Sequence, residues 1–320
     1  MSETVENNRL TVGLAQIAPV WLDRQATLQK ICDYVASAAD RGCDLVCFGE
    51  ALLPGYPFWI EHTHGARFEA PDQKRFYAHY VSQAVQIEAG HLQTLEKLVR
   101  QKNIAVYLGI IEQPGNRGQS LYASLVYLDG GQQPASVHRK LMPTHEERLS
   151  WSPGDGHGLV THPLRGFTVG GLNCWENWMP LARAALYGQG ENVHVAVWPG
   201  NLRNTEQISR FIAQESRSYV ISVSGLMSTD NIPDSHPYKA EMEAALPPVC
   251  ANGGSCIVAP DGSWLLEPVC DREELLVAEL SRQDILEARH SFDPSGHYAR
   301  PDVTRLLVNK RRQQTVEDLD

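Results

Sequence analysis

Between Leu10 and Phe48 a short apolar run, an amphipathic segment and a second apolar run follow one another closely, and this order most constrains the fold. Leu10 to Gln16 alternates apolar and small residues and reads as a strand. Asp23 to Arg41 reads as a helix: Leu28, Ile31, Cys32, Val35, Ala38 and Ala39 share one face, and Gly42 can end it. Asp44 to Phe48 is short and apolar, as a strand buried within a sheet must be. Strand, helix and strand follow again from Val169 to Trp198, an echo too faint to claim a repeat. Residues 71–100 read as two helices with Leu92, Leu95, Leu98 and Val99 inward. Further strands fall at Ile104 to Glu112, Ser120 to Leu128, Ala135 to His138 (after the turn Asp129-Gly130-Gly131) and Leu159 to His162. Glu206 to Arg217 reads as a helix with Ile208, Phe211 and Ile212 inward, and Tyr219 to Gly225 as a strand. A long loop over 228–248 precedes strands at Ser255 to Ala259 and Leu275 to Leu280. The pattern predicts one α/β domain over 10–290, after a polar extension (1–9) and before an extended tail (291–320).

Bulk properties exclude several classes of function. A net charge of −10 over 320 residues opposes nucleic acid as a main partner. The one basic run, Asn309-Lys310-Arg311-Arg312, reads as a solvated tail. The first nine residues lack the apolar region of a signal peptide, and no apolar run approaches the ~18 residues of a membrane span. Seven cysteines, an odd number, point to free thiols in a reducing, cytoplasmic setting. Cys43 and Cys47 fall in or beside an apolar strand and read as core. With no His-Glu-x-x-His, P-loop or Gly-x-Gly-x-x-Gly, metal and nucleotide cofactors are unsupported, and Gly154-Asp155-Gly156-His157-Gly158 reads as a connector.

Chemistry concentrates at three strand ends. Glu50, Lys140 and Cys174 each follow a strand at once, where functional residues of α/β sheets lie. Cys174 ends the strand Phe167 to Leu172, in which Gly170 and Gly171 allow close approach. Asn177 is a candidate N-cap, and Pro180 suits the first turn of a helix continuing to Tyr187. A helix N-terminus and a nearby cation would favour the Cys174 thiolate; a buried structural thiol is the alternative. A carboxylate can take the thiol proton, and an ammonium can stabilise the developing negative charge. Glu50 could instead be solvated, and Lys140 part of an ordinary charged edge. The Pro/Gly loop after Glu50 carries Tyr56, Phe58 and Trp59 and can line an apolar pocket. Trp151, Trp178 and Trp198 could add aromatic walls or fill the core.

Phe48-Gly49-Glu50, His138-Arg139-Lys140-Leu141-Met142-Pro143-Thr144-His145-Glu146-Glu147-Arg148 and Asn173-Cys174-Trp175-Glu176-Asn177 together resemble, in order, the three motifs of the nitrilase superfamily. The resemblance extends from Val12 to about Asn309 and is to the nitrilase branch. It implies a four-layer αββα sandwich with two mixed sheets. It also implies a catalytic set of Glu50 (general base), Lys140 (electrostatic stabiliser), Cys174 (nucleophile) and Glu147, with Glu146 solvated. Tyr56, Trp59, Trp175 and Trp198 are the candidate substrate-pocket residues. The implied reaction is hydrolysis of an organic nitrile to the acid and ammonia, with no metal or organic cofactor. The alternatives are an amidase, a carbamoylase or a cyanide-degrading enzyme on the same scaffold, or a silent assembly protein. The resemblance also implies a homo-oligomer, up to a spiral or filament, built through helices after the first and third motifs, with the tail at an interface.

Overall fold

The computed structural model describes residues 8–131 and 135–316. In chain order its first elements are β1 (Arg9–Gln16), α1 (Arg24–Asp40), β2 (Leu45–Phe48), α2 (Trp59–His62), α3 (Pro71–Gln83), α4 (Gln93–Lys102), β3 (Ala105–Glu112), β4 (Tyr122–Leu128) and β5 (Ser136–Arg139). Then come β6 (His162–Leu164), β7 (Phe167–Asn173), α5 (Pro180–Tyr187), β8 (Val193–Trp198), α6 (Leu202–Ser216), β9 (Tyr219–Ser224) and β10 (Leu226–Ser228). The last are α7 (Lys239–Ala245), β11 (Val249–Val258), β12 (Trp264–Cys270), β13 (Glu274–Ser281) and α8 (Arg282–Ser291). The extension expected at 1–9 and the end of the tail fall largely outside the described residues.

The strands form two mixed sheets. The first has the order β13-β1-β2-β3-β4-β5, with β1, β2 and β3 parallel. The second has the order β10-β11-β9-β8-β7-β6, with β7, β8 and β9 parallel and β12 paired to β11. Period-two alternation sends Val12, Leu14, Leu45, Cys47 and Tyr107 of the first sheet against Val169, Val195, Val197, Ile221 and Val223 of the second. The opposite face of the first sheet, including Val46, Phe48, Val106 and Leu108, packs on Ile31, Val35, Leu95 and Val99 of α1 and α4. Behind the second sheet lie Ile208, Ile212 and Ala213 of α6, and Ala182, Ala185 and Leu186 of α5. The result is the expected four-layer αββα sandwich.

Local differences from the sequence reading have physical causes. Phe211, placed inward, is 50% exposed and lies under the Arg183 guanidinium. The strand expected at Leu159 to His162 begins only at His162 and pairs with β7. β12 contains Pro268, which a sheet tolerates because this strand is an edge. Within the expected loop over 228–248 lies the seven-residue α7, whose Met242 is buried among aromatics. The basic tail run is docked: Arg312 donates to Asp155 Oδ1 at 3.0 Å and to Val137 O at 2.9 Å. The Gly154–Gly158 segment is thus the platform for the tail as well as a connector.

Candidate active site

Glu50 lies two residues beyond β2, Lys140 directly beyond β5 and Cys174 directly beyond β7. β2 and β5 are separated within their sheet by β3 and β4, and β7 belongs to the other sheet. The three side chains meet because the sheets face each other, without the strands being neighbours. Glu50 N donates to Trp198 O at 3.1 Å, tying the end of β2 to the end of β8. Gly49 permits this approach: a Cβ there would stand 3.0 Å from both Trp198 O and Gly225 N.

Lys140 Nζ donates to Glu50 Oε1 at 2.8 Å and to Glu147 Oε2 at 2.7 Å. A carboxylate oxygen from each glutamate and Cys174 Sγ all lie within 4.8 Å of one another. Glu50, Lys140, Glu147 and Cys174 are each at most 3% exposed. Such a trio of ligand atoms could in principle hold a cation. Here the Lys140 ammonium already supplies positive charge to both carboxylates, so the group reads as a thiol flanked by a base and a fixed cation. Glu147 is set by the short helical turn His145–Leu149: Oε2 also accepts from Thr144 N at 2.5 Å, and Oε1 accepts from Tyr56 Oη at 2.9 Å. Glu146, expected in solvent, is half-buried with Oε1 3.3 Å from the same Tyr56 hydroxyl.

Burial pushes the Glu50 carboxyl up to about 7; the Lys140 charge opposes that rise, and the Glu147 charge adds to it. Burial alone would lower Lys140, but Glu50, Cys174 and Glu147 together hold the ammonium well above its usual range. Burial and the Glu50 charge push the Cys174 thiol well up, against the Lys140 charge and the Trp175 N–H. The resting group is therefore a thiol. Of the two readings the sequence allowed for Cys174, this direction favours the buried thiol: desolvation outweighs the Lys140 charge. Cys174 has φ +50, a left-handed conformation that costs a residue with a Cβ about 1–2 kcal/mol.

The aromatic candidates separate. Tyr56 touches the set through Glu147. Trp59 is 2% exposed and stands edge-on to Trp21 and Tyr80. Trp198 is fully buried in the cluster holding Cys174, Ile208 and Ile212. Trp175 is 52% exposed, its ring 6.1 Å from that of Trp178. A cleft of about 650 Å³ opens beside Glu146, lined by Ile60, Glu61, Arg67, His145 and Leu149 among others.

Two supports escaped the sequence reading although both lie in the quoted motifs. Glu176 is buried, and its carboxylate accepts from Asn173 N at 3.0 Å, Leu141 N at 2.9 Å and His138 Nε2 at 2.9 Å. It thus ties the residue before Cys174 to the Leu141 backbone, next to Lys140, and to the side chain of His138. Burial works against this charge, but His138 and the two backbone N–H groups outweigh it and hold the Glu176 carboxyl below its usual range. Asn177 is not the N-cap of α5, a position held by Met179. Its Nδ2 donates to Cys174 O at 2.8 Å and to Leu172 O at 3.3 Å.

Comparison with known proteins agrees with this geometry. The carbon-nitrogen hydrolase family profile matches residues 11–290. An aliphatic nitrilase of Rhodococcus rhodochrous is 32% identical, the match covering 97% of this chain and 85% of the relative. A protein named nitrilase 2 from an unknown prokaryotic organism is 34% identical, covering 97% and 96%. A solved member of branch 10 of the nitrilase superfamily from Saccharomyces cerevisiae superposes with a TM-score of 0.68 at 18% identity, covering 91% of this chain and 97% of that one. On sequence and fold together, the chain belongs to the carbon-nitrogen hydrolase family, the nitrilase superfamily.

Proposed function

We propose that the chain is a nitrilase, hydrolysing an organic nitrile to the carboxylic acid and ammonia on Cys174. The observation that carries this reading is the buried Lys140 ammonium bonded to both Glu50 and Glu147 beside the Cys174 thiol. Cys174 Sγ attacks the nitrile carbon while its proton passes through Glu50 to the nitrile nitrogen, giving a thioimidate. Lys140 and the Trp175 N–H stabilise that nitrogen as negative charge develops on it. A first water adds to the thioimidate carbon, and the tetrahedral intermediate expels ammonia to leave a thioester. A second water releases the acid and restores the thiol, so each turnover consumes two waters. Glu147, bonded to the same ammonium as Glu50, helps hold it in place. Relatives named as nitrilases, at about a third identity over nearly the whole chain, favour this reading over an amidase or carbamoylase.

The protein is further read as a cytoplasmic homo-oligomer. All seven cysteines are free. No helix among the described residues is long and apolar enough to cross a membrane. Trp175, Trp178, Met179, Leu181 and Phe211 are exposed along the turn after Cys174 and on α5 and α6, where a second copy would cover them. The tail beyond α8 is a further candidate for an interface.

The test is ammonia release from phenylacetonitrile, 3-phenylpropionitrile, a C4 dinitrile and cyanide, alongside the matching amides. Cys174→Ala should abolish turnover with the melting temperature unchanged. Turnover of amides alone would move the protein to the amidase reading; turnover that survives Cys174→Ala would remove Cys174 from the mechanism.

A further inference from the structure

Behind the nucleophile's turn lies a second buried acid–histidine pair. Glu191, His194 and Asn177 are all fully buried. His194 Nδ1 is 3.0 Å from Glu191 Oε1, and His194 Nε2 is 2.8 Å from Asn177 Oδ1. Asn177 Nδ2 faces two carbonyl oxygens, Cys174 O and Leu172 O. Carbonyls only accept, so the amide orientation is fixed: nitrogen toward the carbonyls, oxygen toward His194. It follows that His194 Nε2 carries a hydrogen and donates. The proton between His194 Nδ1 and Glu191 Oε1 then completes the line, whichever of the two atoms holds it. Gly170 in β7 makes room for the acid, since a Cβ there would stand 2.2 Å from Glu191 Oε1.

We propose that His194 is a positioning residue for Cys174: with Glu191 behind it, it holds the Asn177 amide in the one orientation that clamps the nucleophile's carbonyl. The clamp acts on a left-handed residue, where an unconstrained backbone would relax. Losing it lets the Sγ drift relative to Glu50 and Lys140, and a misplacement of about 1 Å can cost on the order of 10²-fold in rate. The inference rests on Cys174 being the nucleophile of the proposed reaction.

Two amide substitutions separate this role from simple core packing. His194→Gln places a donor near the position of Nε2 and can keep the bond to Asn177 Oδ1. His194→Asn reaches only as far as Nδ1 and cannot. We expect His194→Asn to lower kcat on the order of 10²-fold with little change in KM, and His194→Gln to recover most of that loss. The rate of Cys174 alkylation by iodoacetamide, read by mass spectrometry, should fall and recover in parallel. Equal kcat and equal alkylation in the two variants, at matched melting temperatures, would overturn the proposal. Alkylation needs no nitrile, so a wild-type protein that turns over no nitrile but keeps the Gln/Asn contrast would sink the nitrilase reading and leave the positioning role standing.

Discussion

At the scale of the residue, the proposed mechanism is proton sharing within a buried cluster. Cys174 rests as a thiol because burial and Glu50 outweigh the Lys140 charge. On the proposed mechanism the attack needs Glu50 to accept a proton as the carbon–sulfur bond forms, and only ionised Glu50 can do that. With its carboxyl pushed up to about 7, kcat/KM should fall on the acid side with a midpoint near that value, a midpoint belonging to the coupled cluster rather than to one group. A pH–rate profile checks this, and an acid limb at the ordinary carboxylate position would refute it. The same shift has a stability consequence. Between the ordinary 4.5 and about 7 the folded state binds the Glu50 proton and the unfolded state does not. The group's stabilising contribution is thus complete below about 4.5 and is lost as pH rises through about 7. Glu50→Gln does not titrate there, so its melting temperature should gain on the wild type from pH 5 to pH 8.

At the scale of the element, the parts of the site that sequence exposes are those at strand ends. β2 and β7 are short, largely apolar runs, and Glu50, Lys140 and Cys174 each stand within two residues of a strand end, so the three could be picked out before any fold was known. What joins those ends was not legible, because the bonds cross between the sheets. Nothing local in Trp175-Glu176-Asn177 says that the Glu176 carboxylate will reach Leu141 N and His138, 35 and 38 residues back in the chain. Nor does a basic run at 309–312 announce that Arg312 will find Asp155, 157 residues away. α7 was missed because its seven residues are too few to set a period, and β12 because Pro268 argues against a paired strand. The Glu176 brace is testable. Glu176→Gln keeps the shape but turns one acceptor into an N–H facing donors, leaving Asn173 N or Leu141 N unpaired in a buried site. A loss of about 1–3 kcal/mol in stability is expected. Because the brace ties the Cys174 turn to Lys140, kcat should fall more than KM changes. Chemical denaturation with steady-state kinetics on the same variant measures both, and a kcat equal to wild type would remove Glu176 from the positioning of the site.

At the scale of the molecule, helices cover both outer faces of the sandwich, yet several large apolar side chains after Cys174 and on α5 and α6 stay exposed. Leu181 is 67% exposed, Trp175 52%, Phe211 50% and Trp178 45%, all on the turn after Cys174 or on α5 and α6. Exposed apolar side chains grouped in this way are what a self-association surface would present. The net charge of −10 opposes self-association at long range, so such contacts should strengthen as salt screens the repulsion. Leu181→Asp is the cleanest probe. Leu181 is the second residue of α5, where a carboxylate is favoured by the helix dipole, so a single subunit should tolerate it. Placed in the centre of an apolar contact, the same carboxylate would be buried without a partner, at a cost of several kcal/mol. Light scattering should therefore show the wild type above the 35.6 kDa of one chain, more so at higher salt, and Leu181→Asp at or near that mass. Because the exposed surface begins at Trp175, one residue past the nucleophile, dissociation should also lower turnover. A Leu181→Asp protein that keeps the wild-type mass would place the interface elsewhere, with the tail beyond α8 as the next surface to alter.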